Sequence, residues 1–464
     1  MSLALSRRSF LSSSLVAAAA LPVRPNIIYI VLDDLGLYDL GCYGCNAIQT
    51  PHIDKLAREG MRFTQAYSGG TVSAPARCTL MTGSHTGRAT IRRNSGGVSL
   101  RPSDITIADL LTKSGYNCAG FGKWGLADLD TPGVPERHGF SKFYGYYHQV
   151  HAQYHYPEYL IDTGKKVPLP NNKGIYEKNH SPGAFQSGTF SEYLIFDEMK
   201  KFIASNQRRP FFCYAPWTLP HGRHEIPESD PAWKMFKDKP WNMDARVHAA
   251  FVAMADRFVG EIMAQLKGMG LESRTLVFLS SVNGADARYA GEIDSSGSLR
   301  GLKSSMYEGG IRIPLIARWP GKVKAGETSD LPIYLPDILP TIAAATDNVN
   351  LLPSGLDGIS LLPEMDGTRK LNRQRTMYWE WSAENTKPYQ AQMQACRRGQ
   401  WKIVRHDPKH PWELYDLSAD PGELKDLAQA NSILIGELDR WIRANRNEPP
   451  AQVEPEKPKG MLWR

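Results

Sequence analysis

Ile27-Ile28-Tyr29-Ile30-Val31-Leu32-Asp33-Asp34 is an unbroken apolar run that stops on two adjacent carboxylates. A strand with one face in water alternates apolar and polar side chains. Six apolar residues in a row instead mark a strand covered on both faces, the habit of parallel sheets. Three further runs repeat the pattern. Residues 117–121 lead into Gly122-Lys123, residues 211–217 end just before His221, and residues 275–279 end near Asn283-Gly284. Helical spacing lies between them. Thr50-Pro51 reads as a helix start, with Ile53, Leu56 and Ala57 on one face and Gly60 as the stop. Val247, Ala250, Phe251, Met254, Phe258, Ile262 and Leu266 place a long helix over residues 245–269. Strands alternating with helices predict an α/β fold, a large and mostly parallel sheet between helix layers.

Beyond about residue 345 the pattern changes. Short aromatic strands at 377–381 and 401–405 and a last helix over 432–443 predict a smaller C-terminal α+β subdomain with antiparallel strands. The expected division is an export signal over residues 1–22, a catalytic domain over 23–345 and the C-terminal subdomain over 346–464. The chain's 464 residues, 42% hydrophobic and 22% charged, exclude a largely disordered chain and a polytopic membrane protein. A net charge of +7 over this length implies no nucleic-acid partner, and six cysteines are too few for a disulfide-built scaffold. The pair Cys42 and Cys45 has no second pair to complete a zinc site, and reads as two loop cysteines or a local disulfide. Arg7-Arg8 precedes an apolar run, Leu11 to Leu21, too short to cross a bilayer. It reads as a twin-arginine export signal, which predicts a bacterial periplasmic or extracellular protein with no membrane span in the mature chain.

Ligands of open α/β sheets gather at the carboxyl ends of the strands, and four of these strands end in Asp33-Asp34, Lys123, His221 and Asn283. Adjacent carboxylates after a buried strand are costly unless a cation neutralises them. A cation beside Lys, Arg and His describes a pocket for a tetrahedral anionic ester such as a sulfate or phosphate.

The sharpest motif is Ser73-Ala74-Pro75-Ala76-Arg77, followed by Thr82-Gly83. Here the chain resembles the type I sulfatases of the alkaline-phosphatase superfamily, whose signature is Cys or Ser, any residue, Pro, any residue, Arg, with a Thr-Gly further on. Ordered matches continue through Gly122-Lys123-Trp124, Pro220-His221, Asn283-Gly284, Lys303 and Trp412-Glu413-Leu414-Tyr415-Asp416. The resemblance implies that Ser73 is the nucleophile position, oxidised to formylglycine by a sulfatase-maturing enzyme, and also a metal ligand. It implies that Arg77 polarises that nucleophile and that Asp33, Asp34 and Asn283 bind one divalent cation, usually Ca2+. Lys123 and Lys303 would neutralise the transferring group, and His221 would contact the sulfate or assist proton transfer. The implied substrate is a sulfated carbohydrate or an aryl sulfate.

Three positions depart from the pattern. Serine stands at residue 73 where bacterial relatives usually carry cysteine. Val282 stands where the family usually has an aspartate ligand, which predicts weakened metal binding. Gly125 replaces a common histidine, and of His148, His151 and His155, His151 is the expected substitute. Two alternatives follow: a phosphate-ester hydrolase using unmodified Ser73, and a catalytically impaired relative that binds sulfated glycans. Tyr146, Tyr147, Tyr154, Tyr156, Trp379 and Trp381 are candidate platforms for sugar rings, with core packing as the competing role.

Overall fold

The computed structural model describes residues 24–94, 98–177, 182–382 and 393–448. The proposed export signal lies outside the described residues. Among them, ten strands form one sheet. In chain order these are β1 Asn26–Leu32, β2 Met61–Phe63, β3 Asn117–Lys123, β4 Lys142–Tyr146, β5 Tyr159–Asp162, β6 Lys165–Pro168, β7 Phe211–Pro216, β8 Thr275–Ser281, β9 Leu315–Arg318 and β10 Glu327–Ser329. Their spatial order is β10-β2-β9-β8-β1-β7-β3-β4-β5-β6. The central strands β8, β1, β7, β3 and β4 are all parallel, and only β9 and β5 run against them.

The continuous apolar run of β1 has the predicted consequence. Ile28, Ile30 and Leu32 face one core, which contains Val247, Phe251, Met254 and Phe258 of a helix over Met243–Gly268. Ile27, Tyr29 and Val31 face a second core with Phe63, Leu80, Leu315 and Leu339. Both faces are therefore covered, and at about 1.5 Å per residue the long helix is about 39 Å from end to end, enough to cross the sheet. Thr50-Pro51 does open a helix, α1 Pro51–Arg58, which buries Ile53, Leu56 and Ala57.

A second sheet of four antiparallel strands follows: β11 Thr376–Trp381, β12 Met393–Arg398, β13 Trp401–Arg405 and β14 Glu413–Asp416. Tyr378, Cys396, Ile403 and Leu414 pack with Leu438 and Ile442 of the last helix, Ser432–Asn445. Met377, Trp379 and Val404 pack with Tyr67, Met306, Ile311 and Tyr334 of the larger part.

This packing corrects most of the sugar-platform expectation. Trp379, Tyr146, Tyr147 and Tyr156 are buried, and Trp379 donates its indole N–H to the carbonyl of Ser68 at 2.6 Å. A ring sealed in a core offers no face to a sugar. Tyr154 and Trp381 are only partly buried. Cys42 and Cys45 are free thiols, and no helix among the described residues is long and apolar enough to cross a membrane.

Candidate active site

Parallel register brings the strand ends together. Leu32 pairs with Ser281, and Val31 pairs with Pro216. The residues that follow β1, β7 and β8 therefore emerge side by side, and Lys123 closes β3 one strand further along. Asp33 is fixed by its own N–H, which donates to the carbonyl of Leu219 at 2.9 Å. Asp34 turns the chain with a φ of +63°, a left-handed conformation that Asp tolerates better than most residues.

Ser73 opens a helix, Ser73–Thr82, which ends at Gly83 with a φ of +70°. The signature thus places its first residue at the positive end of a helix dipole, where anions are favoured. Ser73 Oγ donates to Asp33 Oδ1 at 2.6 Å. One helical turn on, Arg77 Nη2 lies 3.0 Å from Asp33 Oδ2, and its Nη1 donates to the carbonyl of Lys123 at 2.7 Å. Lys123 Nζ lies 2.7 Å from the same Asp33 Oδ2. Asp33, Ser73, Arg77 and Lys123 are all buried.

Asp34 forms a second half. Its Oδ2 accepts from Lys303 Nζ at 2.6 Å and its Oδ1 from Asn283 Nδ2 at 2.8 Å. His221 Nε2 stands 3.9 Å from Asp34 Oδ2. Tyr289 donates its hydroxyl to the carbonyl of Asp34. The Asn283 turn is pressed against the Glu308–Ile311 helix: a Cβ on Gly284 would sit 2.0 Å from the carbonyl oxygen of Gly309. Only glycine fits there.

The charges sort by position. Burial alone would raise Asp33, but Lys123, His221, Arg77 and Lys303 outweigh it and hold its carboxyl well below the usual range. Burial raises Asp34, with Lys303 pulling down and Asp33 pushing up. Burial also brings Lys123 down to about 8 despite Asp33, and burial with Lys123 and Lys303 holds His221 well below the ordinary imidazole range. Three fixed cations thus face two carboxylates, leaving a surplus of positive charge for an anion.

A hard cation would need oxygen donors. Asn283 Oδ1 is buried with no hydrogen-bond partner among the described residues. With Asp33, Asp34 and Ser73 Oγ it completes a set of oxygen donors carrying two formal charges, which fits a divalent cation. Among the described residues no group of three or more His, Cys, Asp or Glu side chains is arranged to hold a metal ion. Val282 adds nothing to the set, because it is buried in the second apolar core with Leu276 and Phe278.

The structure leaves His151 outside this constellation. Its ring packs 5.0 Å from Tyr146 and 4.5 Å from Tyr159, centroid to centroid. His148 is the neighbour that feels the charge of Lys123. His155 supports the site from behind, with Nε2 2.9 Å from the carbonyl of His221. Tyr289 was not marked by sequence reasoning; it follows no strand end and belongs to no motif.

A ten-stranded α/β sheet with this polar edge defines a hydrolase of anionic esters, and the chain belongs to the sulfatase family, the sulfuric ester hydrolases, which matches over residues 25–349. The C-terminal family of N-sulphoglucosamine sulphohydrolase matches over residues 302–444. Human arylsulfatase A is 31% identical, with 88% of this chain and 84% of that protein covered. The N-acetylgalactosamine-6-O-sulfatase of Bacteroides thetaiotaomicron is 27% identical, covering 91% and 93%. Among solved structures, Ps i-CgsB superimposes with a TM-score of 0.74 at 26% identity, covering 91% of this chain and 94% of that one. A second structure of Ps i-CgsB holds k-i-k-neocarrahexaose.

Proposed function

We propose that this sulfatase hydrolyses sulfate esters on a sulfated carbohydrate through the oxygen at residue 73. One observation carries the reading: Ser73 Oγ begins a helix and lies 2.6 Å from Asp33, whose other oxygen is gripped by Arg77 and Lys123. Asp33 is thereby held ionised and accepts the hydrogen bond that the Ser73 hydroxyl donates, which orients the nucleophile's oxygen. Lys123 and Lys303 would neutralise the charge that gathers on the sulfuryl oxygens, and His221 would assist proton transfer to the leaving alcohol oxygen. Oxidation of Ser73 to formylglycine would supply, as the hydrate, a nucleophile that releases sulfate by returning to the aldehyde. Asp33, Asp34, Asn283 Oδ1 and the residue 73 oxygen would hold a Ca2+ ion, which supplies further positive charge for the ester. The carbohydrate assignment rests on the sugar sulfate in the name of the Bacteroides relative and on the neocarrahexaose in complex with Ps i-CgsB. A serine-competent maturing enzyme and export through the Arg7-Arg8 signal complete the proposal.

The test is mass spectrometry of the peptide containing residue 73, together with turnover of 4-nitrophenyl sulfate. The expected peptide is lighter than the serine form by a pair of hydrogens, and the protein cleaves the sulfate. An unmodified serine with preferential cleavage of 4-nitrophenyl phosphate would replace this reading with the phosphate-ester one.

A further inference from the structure

Two arginines that the sulfuryl site does not use lie beside His221: Arg223, two residues further along the chain, and Arg288, which reaches the Gly222 carbonyl in space. Arg223 reaches outward with 41% of its side chain exposed, its guanidinium 5.2 Å from the ring centroids of both Tyr154 and Tyr176. That guanidinium makes no hydrogen bond among the described residues. Its nearest carboxylate oxygen, Glu225 Oε1, is 3.8 Å away. Glu225 also accepts from the Tyr176 hydroxyl, and burial raises its pKa to about 7, so it neutralises Arg223 only in part. The main chain fixes the arrangement: Arg223 N–H donates to the carbonyl of Gln153 at 2.8 Å, next to the platform residue Tyr154. From the opposite side, Arg288 Nη1 donates to the carbonyl of Gly222 at 3.0 Å, with 39% of its side chain exposed. Arg288 Nε bonds Asp286 Oδ1 at 3.1 Å, and against burial Asp286, then Asp34 and Asp244, raise the guanidinium, which in turn helps depress His221.

Resting on the sulfatase reading above, we propose that Arg223, braced on Tyr154 and Tyr176 with Arg288 across Gly222, is a subsite for a second anionic group on the substrate. The natural substrate is then a polyanionic glycan, in which a sulfate or carboxylate neighbours the sulfate being removed. A planar guanidinium braced at 5.2 Å from two ring centroids loses less freedom on binding than a free one, and its N–H fork can meet oxyanions bidentately. Its attraction to a charged oxygen is of the class that shifts affinity about tenfold or more.

The probes are a heparin tetrasaccharide, which carries sulfates and carboxylates, and its carboxyl-reduced form, which carries sulfates alone. Titration calorimetry on the Ser73→Ala protein measures binding without turnover. The tetrasaccharide is expected to bind, and adding Arg223→Ala to weaken it about tenfold and to make the salt dependence of log K shallower by about one charge. Arg223→Lys, which keeps the charge, should retain the salt slope and guards against misfolding as the cause. Binding that survives carboxyl reduction assigns the second group as sulfate, and binding that does not assigns it as carboxylate. Absence of binding to either probe, or equal affinity and slope with and without Arg223, overturns the subsite. Failure to cleave 4-nitrophenyl sulfate would count against the sulfatase reading and is read separately from these titrations.

Discussion

Asp34 is held in a left-handed turn by three partners: Lys303 and Asn283 on its carboxylate and the Tyr289 hydroxyl on its carbonyl. For a residue other than glycine such a conformation costs roughly 1–2 kcal/mol, which the surrounding bonds must offset. Tyr289→Phe keeps the ring, which stacks on His248 at 3.6 Å between centroids, and removes only the hydroxyl. We expect about 1 kcal/mol of lost stability by thermal melting. A larger fall is expected in kcat than in KM, because the reacting residues lose alignment. Val282 is the complementary case. Val282→Asp would bury a carboxylate in an apolar core unless a cation met it. The variant is expected to melt below the parent without Ca2+ and to be restored by it, with tighter Ca2+ binding than the parent by calorimetry. Equal response of both proteins to Ca2+ would contradict the idea that this position governs cation affinity. The polar strand ends were legible in the sequence because buried parallel strands leave few other places for Asp33, Lys123, His221 and Asn283. Tyr289 and Arg223 were not, because they lie on irregular segments where no period reports which way a side chain points.

At the scale of elements, the helix Ser191–Ser205 carries a buried acid against the sheet. Glu192, its second residue, accepts from the Thr218 hydroxyl just after β7. Burial raises this carboxyl from 4.5 to about 7, with the Thr218 bonds pulling the other way. The folded chain therefore keeps a proton that the unfolded chain releases near 4.5. That stabilisation is complete below the unfolded value and is lost as pH rises toward 7. At about 1.4 kcal/mol per pKa unit the loss approaches roughly 3 kcal/mol. The melting temperature is expected to fall between pH 5 and pH 8, and to fall less in Glu192→Gln; parallel curves for the two proteins would refute the assignment. Element type was readable where periodicity was strong, in β1 and the helix Met243–Gly268. The outer strands β2, β5, β6 and β10, two at each side of the sheet, have only three or four residues each, too few for alternation to stand out from loop.

Across the whole molecule, the two sheets are joined by charges that water does not reach. Lys402 Nζ on β13 lies 2.9 Å from Glu308 Oε1 and 2.9 Å from Glu423 Oε1, and all three side chains are fully buried. Tyr67 donates to the other Glu308 oxygen at 2.6 Å, and Glu423 accepts from the N–H of Glu308 at 2.6 Å. Burial raises Glu423 to about 7, Lys402 opposing and Glu308 assisting. Removing the lysine leaves Glu423 without its cation and Glu308 with only Arg312 among the described residues, 3.6 Å from its Oε2, a loss of about 3–5 kcal/mol for a broken buried pair. Lys402→Met is therefore expected to melt well below the parent at pH 8. The deficit should narrow at pH 5, where protonation of the carboxyls removes their repulsion; a deficit independent of pH would place the effect in packing alone. The antiparallel tail was legible as a separate layer from its aromatic strands, whereas this junction was not, since nothing local to Lys402 signals Glu308, a partner 94 residues away.

Lys303 meets Asp34 across a sequence separation of 269 residues. A ribosome adding about 5–20 residues per second needs on the order of 15–50 s to synthesise that interval. For all but the first 39 residues of that interval Ser73 already exists while Lys303, which completes the charge around the site, does not. Any modifying protein that must touch this hydroxyl has a window set by translation itself, and silent changes in codon speed downstream of residue 73 become a means of adjusting how many molecules emerge competent.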